Sequence, residues 1–524
     1  MRRSDALAAT WVGGVTRAVA EDVSGNGKHG GGHAGMGRGH NQPRANTTLD
    51  YHLTLGYGVG IRTRSPSGAL LAPENINGDD GDRNFKKGGL IENQVNLLGE
   101  ADLKHEDLGF FLRFSAFYDQ AYHRPNANNA PDTVNHDGSF NRFTSDAKYY
   151  LGERAKLLSA YAYDTLKLGS TELNVKLGSQ VVAWGESLFF ANIAAAQGPV
   201  DASKGYVAGA EVKDILLPTP QLSLQWQLTP NFSVLGYYQF QFRPNELVPP
   251  GGYFSFSDVT GPGAQFIIGP DGLRIPRGPD IKPKSHNQWG IGTRWRADKG
   301  TEVGLYYLHY NDTNPNVVTS FFPTLRYQQE YFGNIQLAGA SFSTDLGGVN
   351  VAGETSYRSG AAVLVNTADG PAATRGNVWQ TNLSAIHLVG PTFLAASQSL
   401  VAEVSYVHVF SVTPFQGSAQ LTNTRDAAAV EVGWTLSYKN VFDGWDLDVP
   451  MTLAYQFAGN TSLAGSLGAL TGIHDTQMSV GLTFTYMNNL KLGLVYAKYM
   501  GGANPVTRPL ADRDYVVGTA TYSF

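Results

Sequence analysis

No cysteine occurs in the 524 residues of the sequence, which excludes disulfide bonds, thiolate metal sites and cysteine nucleophiles. Charged residues are also scarce, because they form 16% of the chain, against roughly 25% of an ordinary soluble domain. No stretch approaches the roughly 18 consecutive apolar residues that a membrane-spanning helix needs. Basic residues number 39 against 44 acidic ones, so the chain lacks the basic excess typical of nucleic-acid binding.

Glycine and aromatic residues are abundant instead, with 61 Gly, 26 Tyr and 26 Phe. Many segments alternate between apolar and polar residues, which is the period of a β-strand. In one of them Met478, Leu482 and Phe484 share one face, whereas Ser479 and Thr483 share the other. The same alternation recurs at residues 49–61, 221–228, 430–439 and 515–524. This pattern predicts an all-β protein.

The connections between the predicted strands alternate in length, which favours a membrane barrel over a soluble sandwich. Short joins such as Gly347-Gly348 alternate with connections of about 25 residues or more. The long connections lie near residues 64–90, 122–155, 185–219 and 244–285. Outer-membrane barrels combine short periplasmic turns with long extracellular loops in this way. We therefore predict a transmembrane antiparallel β-barrel of roughly 18 strands, within a range of about 14–18, in the bacterial outer membrane.

The predicted barrel covers residues 47–524 as a single unit. Its last strand ends at Phe524 and must pair with the first strand near Leu49, so that no strand edge faces lipid. A terminal aromatic residue on such a strand also resembles the insertion signal of bacterial outer-membrane proteins.

Residues 1–46 are Gly-rich and are expected to form a flexible segment. Asp5 and Arg17 interrupt the apolar core that a signal peptide needs. Either the true start lies upstream, or the start is wrongly assigned, or the signal is degenerate. Three histidines between residues 29 and 40 could capture a metal ion, but flexible low complexity explains them better. We predict no metal site and no cofactor.

Charged residues on the predicted strands are expected to face the lumen, because on the lipid face each charge would cost about 2–4 kcal/mol. Both signs occur, which favours ion pairs across the lumen over a selectivity ring of one sign. The inward-facing set is Glu100, Asp102, Arg113, Asp119, Lys176, Arg294, Arg296, Glu354, Glu403 and Glu431.

Three aspartates in the connection 75–90 suggest a calcium loop at first sight: Asp79, Asp80 and Asp82. Their spacing fails that pattern, because Gly81 comes one place late and Lys86 stands where a bidentate glutamate should be. Turn formation by Asn, Asp and Gly is the better explanation.

The connection 185–219 is too apolar for a surface loop, since residues such as Phe189, Phe190 and Ile193 need burial. We predict that it folds into the lumen as an insertion that lines the passage with apolar side chains. An ion pair from Lys176 to Glu186 or Asp201 would hold it in place.

Five segments, taken in order, carry a family resemblance: NGDDGDRNF, SQVVAWGES, GPVD, GAEVKDILLP and GGYFSFSDVTGPGA. The chain resembles the proteobacterial family catalogued as domain of unknown function 1302 over about residues 47–524. Members are large outer-membrane proteins, and their occurrence beside lipid-handling genes and transporters of the resistance-nodulation type implies traffic in hydrophobic compounds. Gly198 departs from the family pattern, which has Asn before the PVD segment.

The positions that match the family motifs are Trp184, Glu186, Asp201 and Glu211. Together with Lys176 they are the candidate substrate-binding or constriction residues.

The expected function is a channel or transporter for hydrophobic or amphipathic small molecules, such as a lipid, fatty acid, sterol or hydrocarbon. A general diffusion porin and a non-transporting surface scaffold are the alternatives. The expected partners are outer-membrane lipid, the hydrophobic substrate and a periplasmic lipid-handling or transporter protein, with no nucleic acid. Catalysis is not expected, because the run AGSLG around Ser466 lacks the strand-to-helix context of a serine nucleophile.

Overall fold

The computed structural model describes residues 39–44, 46–202, 217–297, 300–321 and 324–524, with side chains from residue 46 onward. Most of the segment 1–46 therefore lies outside the described residues, including the proposed signal region. Its last part, Gly39–Arg44, forms a strand that pairs with the strand that follows it.

The described residues form strands with the following bounds: β1 Gly39–Arg44, β2 Thr47–Arg62, β3 Leu90–His105, β4 Leu108–Asp119, β5 Glu153–Leu168, β6 Thr171–Gln180, β7 Thr219–Thr229, β8 Phe232–Gln239, β9 Phe266–Ile268, β10 Arg274–Pro276, β11 Gln288–Arg296, β12 Glu302–Tyr310, β13 Asn316–Ser320, β14 Arg326–Glu330, β15 Ile335–Leu346, β16 Val349–Thr367, β17 Gly370–Val389, β18 Ser397–Val412, β19 Asp426–Phe442, β20 Trp445–Ala458, β21 Thr476–Tyr486, β22 Leu490–Met500 and β23 Tyr515–Ser523. Short helical turns lie at Pro73–Asn75, Asp80–Arg83, Gln120–His123, Pro131–Thr133, Ser145–Ala147, Lys148–Gly152, Ala194–Ala196 and Pro270–Gly272. In the described part of the chain, none of the helices has the length and apolar character that crossing a membrane requires.

Eighteen of these strands form one closed antiparallel barrel, namely β2–β8, β11, β12 and β15–β23. Each strand pairs with the next barrel strand along the chain, and β2 pairs with β23 to close the sheet. In that closing pair Val59 is opposite Gly518 and Leu55 is opposite Tyr522. Phe524 continues the pairing, since its N–H donates to the carbonyl of Leu53 at 2.9 Å. The predicted barrel and its strand number are confirmed.

The two faces of the barrel follow the alternation of the sequence. Side chains such as Val480, Leu482 and Tyr357 point outward and keep 39%, 39% and 41% of their surface exposed, which suits a lipid-facing belt. The residues between them point inward, and many of these are polar and buried, as Ser356 and Glu354 are on β16. Polar groups therefore collect inside the barrel.

The barrel has a short-turn end and a long-loop end. Joins of two or a few residues follow β3, β5, β7, β15 and β19 at the short-turn end. The long connections lie at the other end and span residues 63–89, 120–152, 181–218, 240–287 and 311–334. Two small hairpins, β9 with β10 and β13 with β14, form within the last two of these loops.

Residues of several long loops pack together against residues of β3, β22 and β23. Phe85, Tyr122 and Tyr253 come from three different loops and are each buried. The ring of Phe85 contacts those of Tyr122 and Tyr253 at centroid distances of 6.0 and 5.3 Å. This aromatic cluster ties the loops over one side of the barrel mouth.

The alternation on β21 can be tested with single cysteines, because the chain has none of its own. Cysteines at Leu482 and Phe484 should react only with lipid-soluble thiol reagents, and cysteines at Ser479 and Thr483 with water-soluble ones. Labelling of intact protein in liposomes, read by mass spectrometry, measures this. Equal reaction of both pairs with the water-soluble reagent would contradict the assignment of the two faces.

Candidate constriction inside the barrel

Residues 181–202 of the connection between β6 and β7 lie against the inner wall of the barrel. We call residues 181–202 the insertion. Ile193 packs with inward-facing residues of β8, β12 and β15, among them Leu308 and Leu337. Phe189 and Phe190 pack with inward-facing residues of β16–β20 and with loop 459–475. The insertion therefore follows the inner wall over many strands.

Glu403 on β18 holds the middle of the insertion through its backbone. Its carboxylate accepts hydrogen bonds from the N–H groups of Leu188, at 3.1 Å, of Phe189, at 2.5 Å, and of Phe190, at 2.8 Å. Three successive N–H groups converge on one carboxylate, so the negative charge is matched by backbone dipoles instead of by a cation.

Glu354 on β16 acts in the same way on both sides of that segment. It accepts hydrogen bonds from the N–H of Glu186, at 2.6 Å, from the N–H of Ile193, at 3.1 Å, and from the hydroxyl of Ser187. Gly185 precedes this contact with a φ of +102°, in the left-handed region that favours glycine. The sharp turn at Gly185 brings the following N–H groups onto the carboxylate.

Asn192 forms a third attachment. The Arg358 guanidinium on β16 donates to its backbone carbonyl at 2.9 Å and to its side-chain oxygen at 3.1 Å, and Ser356 donates to the same side-chain oxygen at 2.5 Å. On β17 the Asn382 amide donates to the carbonyl of Phe190. Side chains of the neighbouring strands β16 and β17 thus form hydrogen bonds with successive polar groups of the insertion.

The start of the insertion is fixed by aromatic contacts. Trp184 is buried, and its ring lies 5.1 Å from that of Tyr237 and 5.8 Å from that of Tyr306. Glu186 follows, close to Arg294 and Glu302 of the wall. Burial raises the pKa of Glu186 to about 7, although the nearby Arg294 opposes that rise.

The end of the insertion enters a charged cluster on the long-loop side. Glu246, from loop 240–287, pairs with Arg154 at 2.5 Å, Lys156 at 2.9 Å and Arg243 at 2.9 Å. Lys156 also pairs with Asp201 of the insertion at 3.4 Å. Burial alone would raise the pKa of Glu246, but the hydrogen bonds from Arg154 and Lys156 outweigh it and hold that pKa at about 2.

The predicted ion pairs need correction. Asp201 contacts Lys156, not Lys176, whose ammonium group lies 5.3 Å from the ring centroid of Tyr161. Glu186 contacts Glu354 through its backbone N–H. The predicted constriction residue Glu211 lies outside the described residues.

Among the predicted lumen charges, two ion pairs join neighbouring strands. Glu100 and Arg113 face each other on β3 and β4 at 3.1 Å, and Arg294 reaches Glu302 on the next strand at 3.4 Å. Glu431 is the cross-strand partner of Glu403, so it adds a second carboxylate beside the one that holds the insertion. Adjacent strands bring opposite side chains within about 5.5 Å, which allows such pairs to form.

Several residues of the site were missed from the sequence: Arg154, Lys156, Asn192, Glu246, Arg358, Gln380 and Asn382. One signal was available in the sequence of β16, where every second position is polar: Glu354, Ser356 and Arg358. Such a row indicates a wall face that contacts another polar segment and not only water. Glu246 carried no such signal, because it lies in a loop.

The sequence matches the family described as "Protein of unknown function (DUF1302)" over residues 2–524. The chain belongs to this family. The resemblance inferred from the five segments is thereby confirmed. No curated protein matches the chain.

Solved structures similar to this chain include OccAB2 of Acinetobacter baumannii, at 10% identity, covering 91% of this chain and 98% of that one with a TM-score of 0.43. OccK9 (OpdG) of Pseudomonas aeruginosa is similar at 12% identity, with 91% and 97% covered and a TM-score of 0.43. The outer membrane channel DcaP of Acinetobacter baumannii is similar at 12% identity, with 92% and 99% covered and a TM-score of 0.37.

The anchoring role of Glu403 can be tested with Glu403→Gln. The amide keeps the shape but loses the charge that three N–H groups share, so we expect a loss of about 1–3 kcal/mol in the attachment of the insertion. Single-channel recordings should show additional states of larger conductance as the insertion detaches. Glu74→Gln, at an exposed loop position, is the matched control and should leave the recordings unchanged. A Glu403→Gln trace identical to that of the unaltered protein would contradict the anchor.

Glu246→Gln should make the passage more selective for anions, because Arg154, Lys156 and Arg243 would lose their shared counter-charge. We expect the permeability ratio of chloride to potassium to rise by a factor on the order of two. Reversal potentials in a KCl gradient measure this ratio, again with Glu74→Gln as the control. A ratio that stays constant or falls would show that the cluster does not border the ion path.

Proposed function

We propose that this protein is a selective channel of the bacterial outer membrane for small amphipathic molecules. The observation that carries the proposal is the insertion itself, which two wall carboxylates, Glu354 and Glu403, attach to the inside of a closed barrel. A segment held at so many points narrows the passage permanently, which suits selection better than free diffusion.

The surroundings of the passage favour an amphipathic over a purely hydrophobic substrate. The apolar side chains Leu188, Phe189 and Phe190 are at most 8% exposed, because they pack against the wall. These side chains therefore attach the insertion to the wall and do not line the passage. Next to the insertion lies a cluster with three basic groups and two acidic ones, and its Arg154 guanidinium lies 4.6 Å from the ring centroid of Tyr150.

Such a mixture of cations and aromatic rings suits a molecule with an apolar body and an anionic group, of which a fatty acid anion is the simplest example. On this reading the basic groups attract the anionic end at the extracellular mouth, and the aromatic rings contact the apolar body.

A general diffusion channel is the second candidate. The pairs Glu100 with Arg113 and Arg294 with Glu302 favour it, because alternating charges of both signs are typical of a wet lumen that passes many hydrophilic solutes. The two candidate functions differ in whether the insertion selects the solutes that pass through the barrel.

Replacement of residues 183–216 by a short Gly/Ser turn separates the candidates. Gln180 and Thr219 are cross-strand partners, so a short turn can join β6 to β7 without moving either strand. We expect the replacement to raise ion conductance several-fold and to abolish the preference of the channel for a medium-chain fatty acid anion over a neutral sugar of similar mass. Planar-bilayer conductance and liposome flux measure the two effects, and heat-modifiable migration on gels verifies that the barrel still forms.

The general diffusion channel is supported instead if the intact protein passes the sugar as readily as the fatty acid anion and the replacement leaves conductance unchanged. A protein that conducts no ions in either form would contradict both candidates and favour a surface scaffold.

A further inference from the structure

Three buried aspartates meet at the long-loop end of the barrel, away from the constriction. Asp79 and Asp80 lie in loop 63–89, where the helical turn Asp80–Arg83 begins, and Asp258 lies in loop 240–287. Their exposed fractions are 0%, 2% and 0%. One carboxylate oxygen of each lies within 4.8 Å of one carboxylate oxygen of the other two. The three side chains thus face a common point.

Each of these carboxylates has one buried oxygen, Oδ1, that accepts no hydrogen bond. Their Oδ2 atoms are used: that of Asp79 accepts from Arg83 at 2.6 Å, that of Asp80 from the Asn135 N–H at 3.4 Å, and that of Asp258 from the Asp80 N–H at 3.2 Å. The side-chain oxygen of Asn135 is likewise buried and accepts no hydrogen bond. Buried oxygens without a donor are unusual in folded proteins and indicate a missing positive partner.

The charges around the cluster do not balance. Among its neighbours Arg83 forms an ion pair with Asp79, at 2.6 Å. Burial raises the pKa of Asp79 and that of Asp80 to about 7 and raises the pKa of Asp258 well above its ordinary value. Three buried carboxylates that share a single guanidinium are unfavourable as charged groups unless a further cation joins them.

The other arginines nearby are already occupied. Arg62 pairs with Asp82 at 3.0 Å and with Asp512 at 2.9 Å, and Arg513 pairs with the same two aspartates. That neighbouring group of two arginines and two aspartates is balanced in charge. It therefore offers no free cation to Asp80 or Asp258.

We propose that Asp79, Asp80 and Asp258 bind a calcium ion that joins loop 63–89 to loop 240–287. Calcium takes oxygen ligands at about 2.4 Å, so two of its ligands lie at most about 4.8 Å apart, and the carboxylate oxygens of these three aspartates are close enough together to meet that limit. Magnesium needs ligands at about 2.1 Å and usually keeps several of its waters, which a buried site of three carboxylates accommodates less well.

The site differs from a calcium loop built from one stretch of sequence. Asp258 is remote in the chain from Asp79 and Asp80, and the two loops already touch: a Cβ on Gly81 would lie 2.7 Å from the carbonyl oxygen of Gly252. The ion would thus fasten a contact that the fold has formed. The affinity expected of such an extracellular site is on the order of 10⁻⁴ to 10⁻³ M.

The test uses the full-length protein refolded in detergent without lipopolysaccharide, which would itself bind calcium. After treatment with EDTA and removal of the chelator, calcium chloride is titrated by calorimetry, and thermal unfolding is followed with and without millimolar calcium. We expect one calcium ion per chain and a higher unfolding temperature when it is bound. Asp258→Asn and Asp80→Asn should each weaken calcium binding at least about tenfold, because each removes one of three charged ligands.

The comparison of stabilities distinguishes a metal ligand from a merely structural aspartate. In EDTA the Asp258→Asn protein should be as stable as the unaltered one or more so, since it has one unpaired buried carboxylate fewer, whereas in calcium the order should reverse. Asp271→Asn, at an exposed loop position with a φ of +56° that asparagine tolerates, is the matched control. The proposal is overturned if the unaltered protein binds no calcium, or if both ligand variants bind it as tightly as the control.

Discussion

Closure of the sheet is the constraint on which the rest of this structure depends. Lipid offers no hydrogen-bond partner to an open strand edge, so the first and last barrel strands must pair, as β2 and β23 do. Closure then forces every second residue of eighteen strands into one enclosed space. Polar side chains there must meet water, each other or a segment that folds inside. The insertion is a segment of that kind, and its attachment follows from what the enclosed wall presents.

The attachment uses backbone dipoles where a charge pair was expected. Glu354 and Glu403 each collect several N–H groups from the insertion, so the anchored segment needs no cation of its own and can remain apolar. This explains how a run such as Leu188–Phe190 can be both apolar and fixed: its side chains fill the space between wall residues while its N–H groups satisfy a carboxylate. If the hydrogen bonds were lost, a buried carboxylate would be left without a partner, and if the packing were lost, apolar side chains would be exposed. Both changes would raise the free energy of the folded barrel.

At the long-loop end, distant parts of the chain meet in the same manner. The NGDDGDRNF segment packs against the GGYFSFSDVTGPGA segment at Gly81, and the aromatic cluster around Phe85 and Tyr253 surrounds that contact. Two groups of charge lie side by side there, one balanced around Arg62 and one acidic around Asp258. The loops thus form an ordered cap whose stability depends on electrostatics.

The sequence alone determined the class of fold, because alternation with a period of two and alternating loop lengths can be read locally along the chain. In lipid, strands with this pattern must form a closed barrel, so tertiary contacts could not lead to another fold. The sequence also predicts which glutamates point inward, since parity along a strand decides this. It did not determine what those glutamates contact: Glu354 binds a backbone, and Asp201 meets Lys156 instead of Lys176. Only the tertiary structure decided these partners, because they come from residues far apart in the chain, and a backbone N–H, which every residue but proline possesses, leaves no mark in the sequence.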